Sequence, residues 1–82
     1  MLVNIKYFAS VREAIGRADE ARETGSVSLA ALRDELIAIG PAYDCLKRQR
    51  AVRMALNHVM QNEAALLTPG CEVAFFPPVT GG

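Results

Sequence analysis

In a chain of 82 residues, one stretch carries a helical apolar stripe long enough to cover a sheet. Leu29, Leu32, Leu36 and Ile39 recur at spacings of three and four, so they share one helix face. Ser28 is placed to cap the first turn, Val27 to staple onto Leu32, and Gly40-Pro41 to end the helix. By the same spacing Arg33, Asp34 and Glu35 lie away from the stripe. A lone helix of this kind must bury its face against something, and the other apolar segments offer only strands.

Those strands read by alternation. In residues 2–8, Val3, Ile5 and Tyr7 share one face and Leu2, Asn4, Lys6 and Phe8 the other, with the first set predicted as core. Ser10-Val11-Arg12-Glu13 has the form of a capping box, opening a short helix that stops near Gly16. Residues 19–24 are assigned to a weak strand. Val52, Met54 and Leu56 alternate over 51–56, Asn57-His58 turns the chain, and Val59-Met60 returns. Leu66 and Leu67 are expected to pin a loop, and Thr68-Pro69-Gly70 to turn into a last strand at 71–76. The order predicts an α+β domain: a mixed four- to five-stranded sheet packed on one main helix. If the first and last strands lie side by side, Phe8 and Phe76 face outward together as an exposed apolar patch, the mark of a partner surface.

Composition narrows the function. Nine basic and nine acidic residues cancel, which argues against nucleic-acid binding. The sequence has no apolar run of membrane-spanning length and no leader-like start, so a cytoplasmic location is expected. Cys45, Cys71 and His58 lack metal-ligand spacing, and no metal site is predicted. Lys47, Arg48, Arg50 and Arg53 form a local basic cluster: a solvated surface, or a docking patch for an acidic partner. No acid pair, Ser-His pairing or phosphate loop is evident, so the chain is not expected to be an enzyme on its own.

The ending carries the chemistry. After the apolar run Val73-Ala74-Phe75-Phe76 come Pro77-Pro78-Val79-Thr80-Gly81-Gly82. The division is therefore a domain over 1–76 and an extended tail over 77–82. Proline cannot donate to a β-ladder, and it favours an extended path in which six residues reach roughly 19 Å. The tail bears no side-chain charge, and its one polar side chain is the Thr80 hydroxyl. Gly81 and Gly82 lack a Cβ, so a narrow channel can close around them. The expectation is an uncharged arm that presents the Gly82 carboxylate to another protein.

The opening Ile5-Lys6-Tyr7-Phe8-Ala9-Ser10-Val11-Arg12-Glu13 and the run from Leu66 through Pro69-Gly70-Cys71-Glu72 to Gly82 resemble the small, sulfur-carrying subunits of molybdopterin synthase. Cys71 departs from that family, which more often has an acidic or polar residue there. The resemblance implies a β-grasp, ubiquitin-like fold. It implies that an adenylating enzyme uses ATP to activate the Gly82 carboxylate and that a sulfur source converts it to a thiocarboxylate. It further implies that the tail enters a large subunit, within a heterotetramer, to sulfurate cyclic pyranopterin monophosphate. The carrier itself would bind no cofactor. Pro77, Pro78, Val79, Thr80 and Gly81 would set reach and register, and Phe8, Arg12 and Phe76 would dock the partner. Two alternatives keep the fold: a ubiquitin-like protein modifier, and a sulfur carrier for thiamine or thiolated-nucleoside synthesis. A binding module with an inert tail is the third.

Overall fold

The computed structural model describes residues 1–78. Five strands form one mixed sheet: β1 (Leu2–Tyr7), β2 (Asp19–Glu23), β3 (Arg53–Leu56), β4 (Val59–Gln61) and β5 (Glu72–Phe76), in the order β2-β1-β5-β3-β4. The central pair β1–β5 is parallel, and the other pairings are antiparallel. Two α-helices, α1 (Ala9–Ile15) and α2 (Leu29–Ile37), and short 3-10 turns at Pro41–Leu46 and Arg48–Arg50 complete the chain. This is the α+β arrangement expected from the pattern.

Register sorts the side chains into two faces. Ile5, Val73 and Leu56 are paired across the sheet, as are Tyr7, Phe75 and Met54. These rows meet Leu29, Leu32 and Leu36 of α2 in one core, where Val3, Ile5, Val73 and Phe75 are fully buried. Burying each such side chain contributes about 1.5–3 kcal/mol. The opposite face carries the row Lys6, Ala74, Ala55, Met60, with Phe8, Phe76 and Arg53 one step further on.

Helix α2 begins as its sequence demands: the Ser28 hydroxyl accepts the Ala31 amide. Its first two free amides go elsewhere. Leu29 N–H donates to the Ala65 carbonyl and Ala30 N–H to that of Glu63, so a loop caps the helix. That loop runs where the staple was expected; Val27 is exposed, and its carbonyl accepts from Leu67. Leu67 pins the loop, while Leu66 is exposed. The stripe is also shorter than its spacing suggested. The helix stops at Ile37, so Ile39 leaves the helical phase and is 48% exposed.

Arg33 is the main reversal, being only 4% exposed. Its guanidinium donates to the Leu46 carbonyl and lies 3.7 Å from Glu63. A buried cation is tolerated because carbonyl and carboxylate replace water. The second reversal is at α1, whose cap position falls at Phe8, two residues before the expected Ser10. Ala9 takes φ 51 and swings the chain straight out of β1. Phe8 becomes the residue before the helix, its carbonyl accepting from Val11 and Arg12, and no side chain caps the end. Gly16 ends α1 at φ 89, in the left-handed region glycine favours. Asn57 and His58 turn β3 into β4 at φ 50 and 70.

Glu35 fastens edge strand β2 and its following loop to α2. It accepts from Arg22, from the Thr24 hydroxyl and from the Ser26 hydroxyl. Burial alone would raise its pKa, but these donors hold it below the ordinary 4.5. Its stabilisation is therefore complete above the unfolded-state pKa and is lost as pH falls through the lower folded value. Glu35→Gln is expected to cost roughly 1–2 kcal/mol at neutral pH. In denaturant titrations that difference should shrink as pH falls through the carboxylate range; a gap that stays constant would contradict the account.

Candidate functional site

The last strand lies in the middle of the sheet, between β1 and β3, so the tail leaves from the centre of one end. Tyr7 is paired with Phe75 in the parallel register, and Phe8 N–H donates to the Phe75 carbonyl at 3.2 Å. The next residues on each strand, Phe8 and Phe76, then stand side by side on the outer face. Their rings are stacked, with centroids 4.8 Å apart and planes 9° from parallel. The structure thus brings together two of the three residues expected to dock a partner. Phe8 remains 40% exposed even in the stack.

The stack forms part of a shallow groove of about 520 Å³, completed by Ala9, Arg53, Met60, Pro77 and Pro78. The neighbouring row of the outer face carries small residues. Ala55 and Ala74 occupy the outer face between Lys6 and Met60, and both are buried beneath their larger neighbours. Met60 and Arg53 were not singled out by sequence reasoning as part of this surface. The signal was present: with Asn57-His58 as a two-residue turn, Met60 falls opposite Ala55 and on the same face as Phe76.

A second groove of about 330 Å³ lies on the other side of Pro77 and Pro78. Val11, Ala14, Cys45, Arg50 and Val52 contribute to it. Arg12, the third expected docking residue, is exposed on α1 beside Val11 but belongs to neither groove. Pro77 and Pro78 wall both grooves. Val79, Thr80, Gly81 and Gly82, which carry the rest of the expected site, lie outside the described residues.

The thiols and the histidine do not assemble a reactive centre. Cys71 is buried under the sheet, and burial pushes the half-buried Cys45 thiol above its ordinary pKa. His58 is exposed at its turn, 3.4 Å from Glu72. Among the described residues no group of three or more His, Cys, Asp or Glu side chains is arranged to hold a metal ion. Nor is any helix among them long and apolar enough to cross a membrane. What the geometry offers is a grip: an apolar, aromatic surface at the root of a proline-stiffened ending.

Comparison with known proteins places the chain. A model of the ThiS family matches residues 5–82. The molybdopterin synthase sulfur carrier subunits of Escherichia coli (strain K12) and Haemophilus influenzae are 32% and 31% identical over 81 residues. Each alignment covers 99% of this chain and 100% of the relative. Among solved structures, the chain superposes on SAMP1 from Haloferax volcanii with a TM-score of 0.78 at 22% identity, covering 100% of both chains. It also matches a chain from the complex of subunits 1 and 2 of the molybdopterin-converting factor of Helicobacter pylori 26695. There the TM-score is 0.68 at 24% identity, again covering 100% of both. These two structures share its fold, the ubiquitin-like β-grasp.

The stack makes a quantitative prediction. In a double-mutant cycle of Phe8→Ala and Phe76→Ala, the two rings should couple by about 0.5–1.5 kcal/mol in folding stability. Additive losses would mean that the rings do not interact in solution.

Proposed function

The chain belongs to the ThiS family, and from that premise we propose that it is the sulfur carrier of a molybdopterin synthase. The observation that carries this reading is end-to-end similarity to two bacterial sulfur carriers, with the family match running through Gly82. The aromatic groove at the root of the tail supports it.

In the proposed cycle the Gly82 carboxylate attacks the α-phosphorus of ATP on an activating enzyme, and pyrophosphate leaves. A sulfur donor then displaces AMP from the acyl carbon, giving a thiocarboxylate. The thiocarboxylate sulfur attacks an electrophilic carbon of cyclic pyranopterin monophosphate in the large subunit, and an oxygen bonded to that carbon leaves. Hydrolysis of the resulting thioester leaves sulfur on the pterin and returns the carboxylate. Two dithiolene sulfurs require two such deliveries, which two carriers in a heterotetramer would supply.

The division of labour follows from the residues. The reacting group is main chain, so the carrier needs no acid or base of its own; those side chains belong to the partner. Gly81 and Gly82 let a channel close on the backbone. Thr80 and Val79 set register, and Pro77 and Pro78 keep the arm extended. Phe8, Phe76 and Met60 supply apolar docking surface, and Arg12 on α1 is a further docking residue. Because ATP drives the cycle, the carrier works in the cytoplasm.

The likeness to small archaeal modifier proteins favours one competitor, a ubiquitin-like modifier joined to protein lysines through Gly82. Denaturing electrophoresis separates them, since a modifier gives ladders of covalent conjugates and a carrier does not. Deleting Gly82 should abolish pterin sulfuration while leaving the thermal transition unchanged; undiminished sulfuration would refute the proposal. Gly81→Ala should fold normally but be adenylated poorly, and normal adenylation would refute the closed-channel argument.

A further inference from the structure

The four cations clustered in sequence, Lys47, Arg48, Arg50 and Arg53, part company in the fold. Arg48 lies 2.6 Å from Asp34 and 2.5 Å from Glu63, which ties the 3-10 turn to α2 and to the loop after β4. Lys47 pairs with Asp44 at 3.5 Å. Arg50 and Arg53 are exposed, and among the described residues neither has a carboxylate within ion-pair distance. Both stand at the root of the tail. Arg53 lines the aromatic groove on one side of Pro77 and Pro78, and Arg50 lines the groove on the other side.

The placement has an energetic consequence. Arg53 is paired with Phe76 across the ladder and lies beside the Phe8 stack. A protein that covers this apolar surface strips water from the guanidinium. Desolvating a charge without a counter-charge is unfavourable, so a partner that closes over Arg53 fits better with a carboxylate opposite it. The carrier's own acids do not fill the role. Glu20, Glu35 and Glu63 are engaged with Arg17, Arg22 and Arg48.

We propose that Arg50 and Arg53 form a cationic collar for the ATP-using enzyme that activates the tail, and that this enzyme rims its channel mouth with carboxylates. The collar deepens the carrier reading and rests on it. Charges at the rim of an interface raise the encounter rate more than the final affinity. A carrier that must return to its activating enzyme after each delivery gains directly from a faster encounter. The tail is uncharged, so its own side chains provide no such steering.

The test measures association of the intact carrier with the adenylating enzyme of the same organism, by stopped flow, from about 0.01 M to about 1 M salt. The association rate of the native carrier should fall as salt rises. The double variant Arg50→Gln/Arg53→Gln should associate about tenfold more slowly at low salt and converge with the native rate at high salt. Arg50→Glu/Arg53→Glu should be slower still. Lys47→Gln, outside both grooves, should slow association far less than the loss of Arg50 and Arg53. A salt-independent native rate, or a Gln/Gln variant with the native rate and slope, overturns the collar. The carrier reading fails separately, if this enzyme and ATP leave the Gly82 carboxylate of the native carrier unadenylated; native affinity of Phe8→Ala would refute only the aromatic docking surface. If Phe8→Ala weakens binding while Arg50→Gln/Arg53→Gln keeps the native association rate and salt slope, the surface stands and the collar is wrong.

Discussion

The parallel pairing of β1 with β5 is the constraint on which the rest of the molecule depends. It joins the two ends of the chain at the centre of the sheet, aligning Tyr7 with Phe75 inside and Phe8 with Phe76 outside. Tyr7 stacks on Phe75 beneath the sheet, with centroids 6.1 Å apart. The same register that closes the core therefore builds the outer aromatic surface. It also makes the tail emerge between two neighbouring strands, which is why Pro77 and Pro78 have a groove on each side. A tail leaving from an edge strand would have had support on one side only.

Around that pairing, carboxylates act as fasteners. Glu20 accepts from the Tyr7 hydroxyl at 2.6 Å and pairs with Arg17, tying β2 to the core ring. Burial, followed by this bond, raises the Tyr7 pKa far above its ordinary value, so the phenol stays protonated and keeps donating. Glu35 fastens β2 to α2, and Glu63 fastens the loop after β4 to Arg48. A chain with equal numbers of acids and bases thus uses much of its negative charge internally. The positive charge left uncompensated by ion pairs includes Arg50 and Arg53 at the tail. Net charge says nothing about this separation; only the fold reveals it.

Much of the fold was legible because its signals are local. Alternation at Val3, Ile5 and Tyr7 identified the buried face of β1, and Ser28 marked the start of α2. Asn57-His58 marked a turn that needs positive φ at both positions. Several of the misreadings concern contacts between segments distant in sequence. Helical spacing placed Arg33 toward solvent, but the Leu46 carbonyl, thirteen residues on, gives its guanidinium a buried partner. Val27 and Ile39 read as apolar anchors, yet the loop at 62–67 takes the place of one and the early helix stop exposes the other. Within the site, Phe8 and Phe76 were found by combining strand parity with one assumption about adjacency. The two-residue turn at Asn57-His58 sets Met60 opposite Ala55, but bringing Met60 and Arg53 to Phe76 also required the register of β3 with β5, a pairing distant in sequence. The similarity to known carriers supplied what physical patterns could not, namely which chemistry a bare glycine carboxylate performs.

In this account the globular domain provides grip and the terminal acyl carbon provides reactivity. Intact-mass analysis of the carrier after incubation with its adenylating enzyme, ATP and a sulfur donor tests that division most directly. The account predicts a species heavier than the apo chain by the exchange of one oxygen for sulfur. Fragmentation should place the added sulfur on Gly82 rather than on Cys45 or Cys71. An unchanged mass, or sulfur found on either cysteine with Gly82 unmodified, would contradict it.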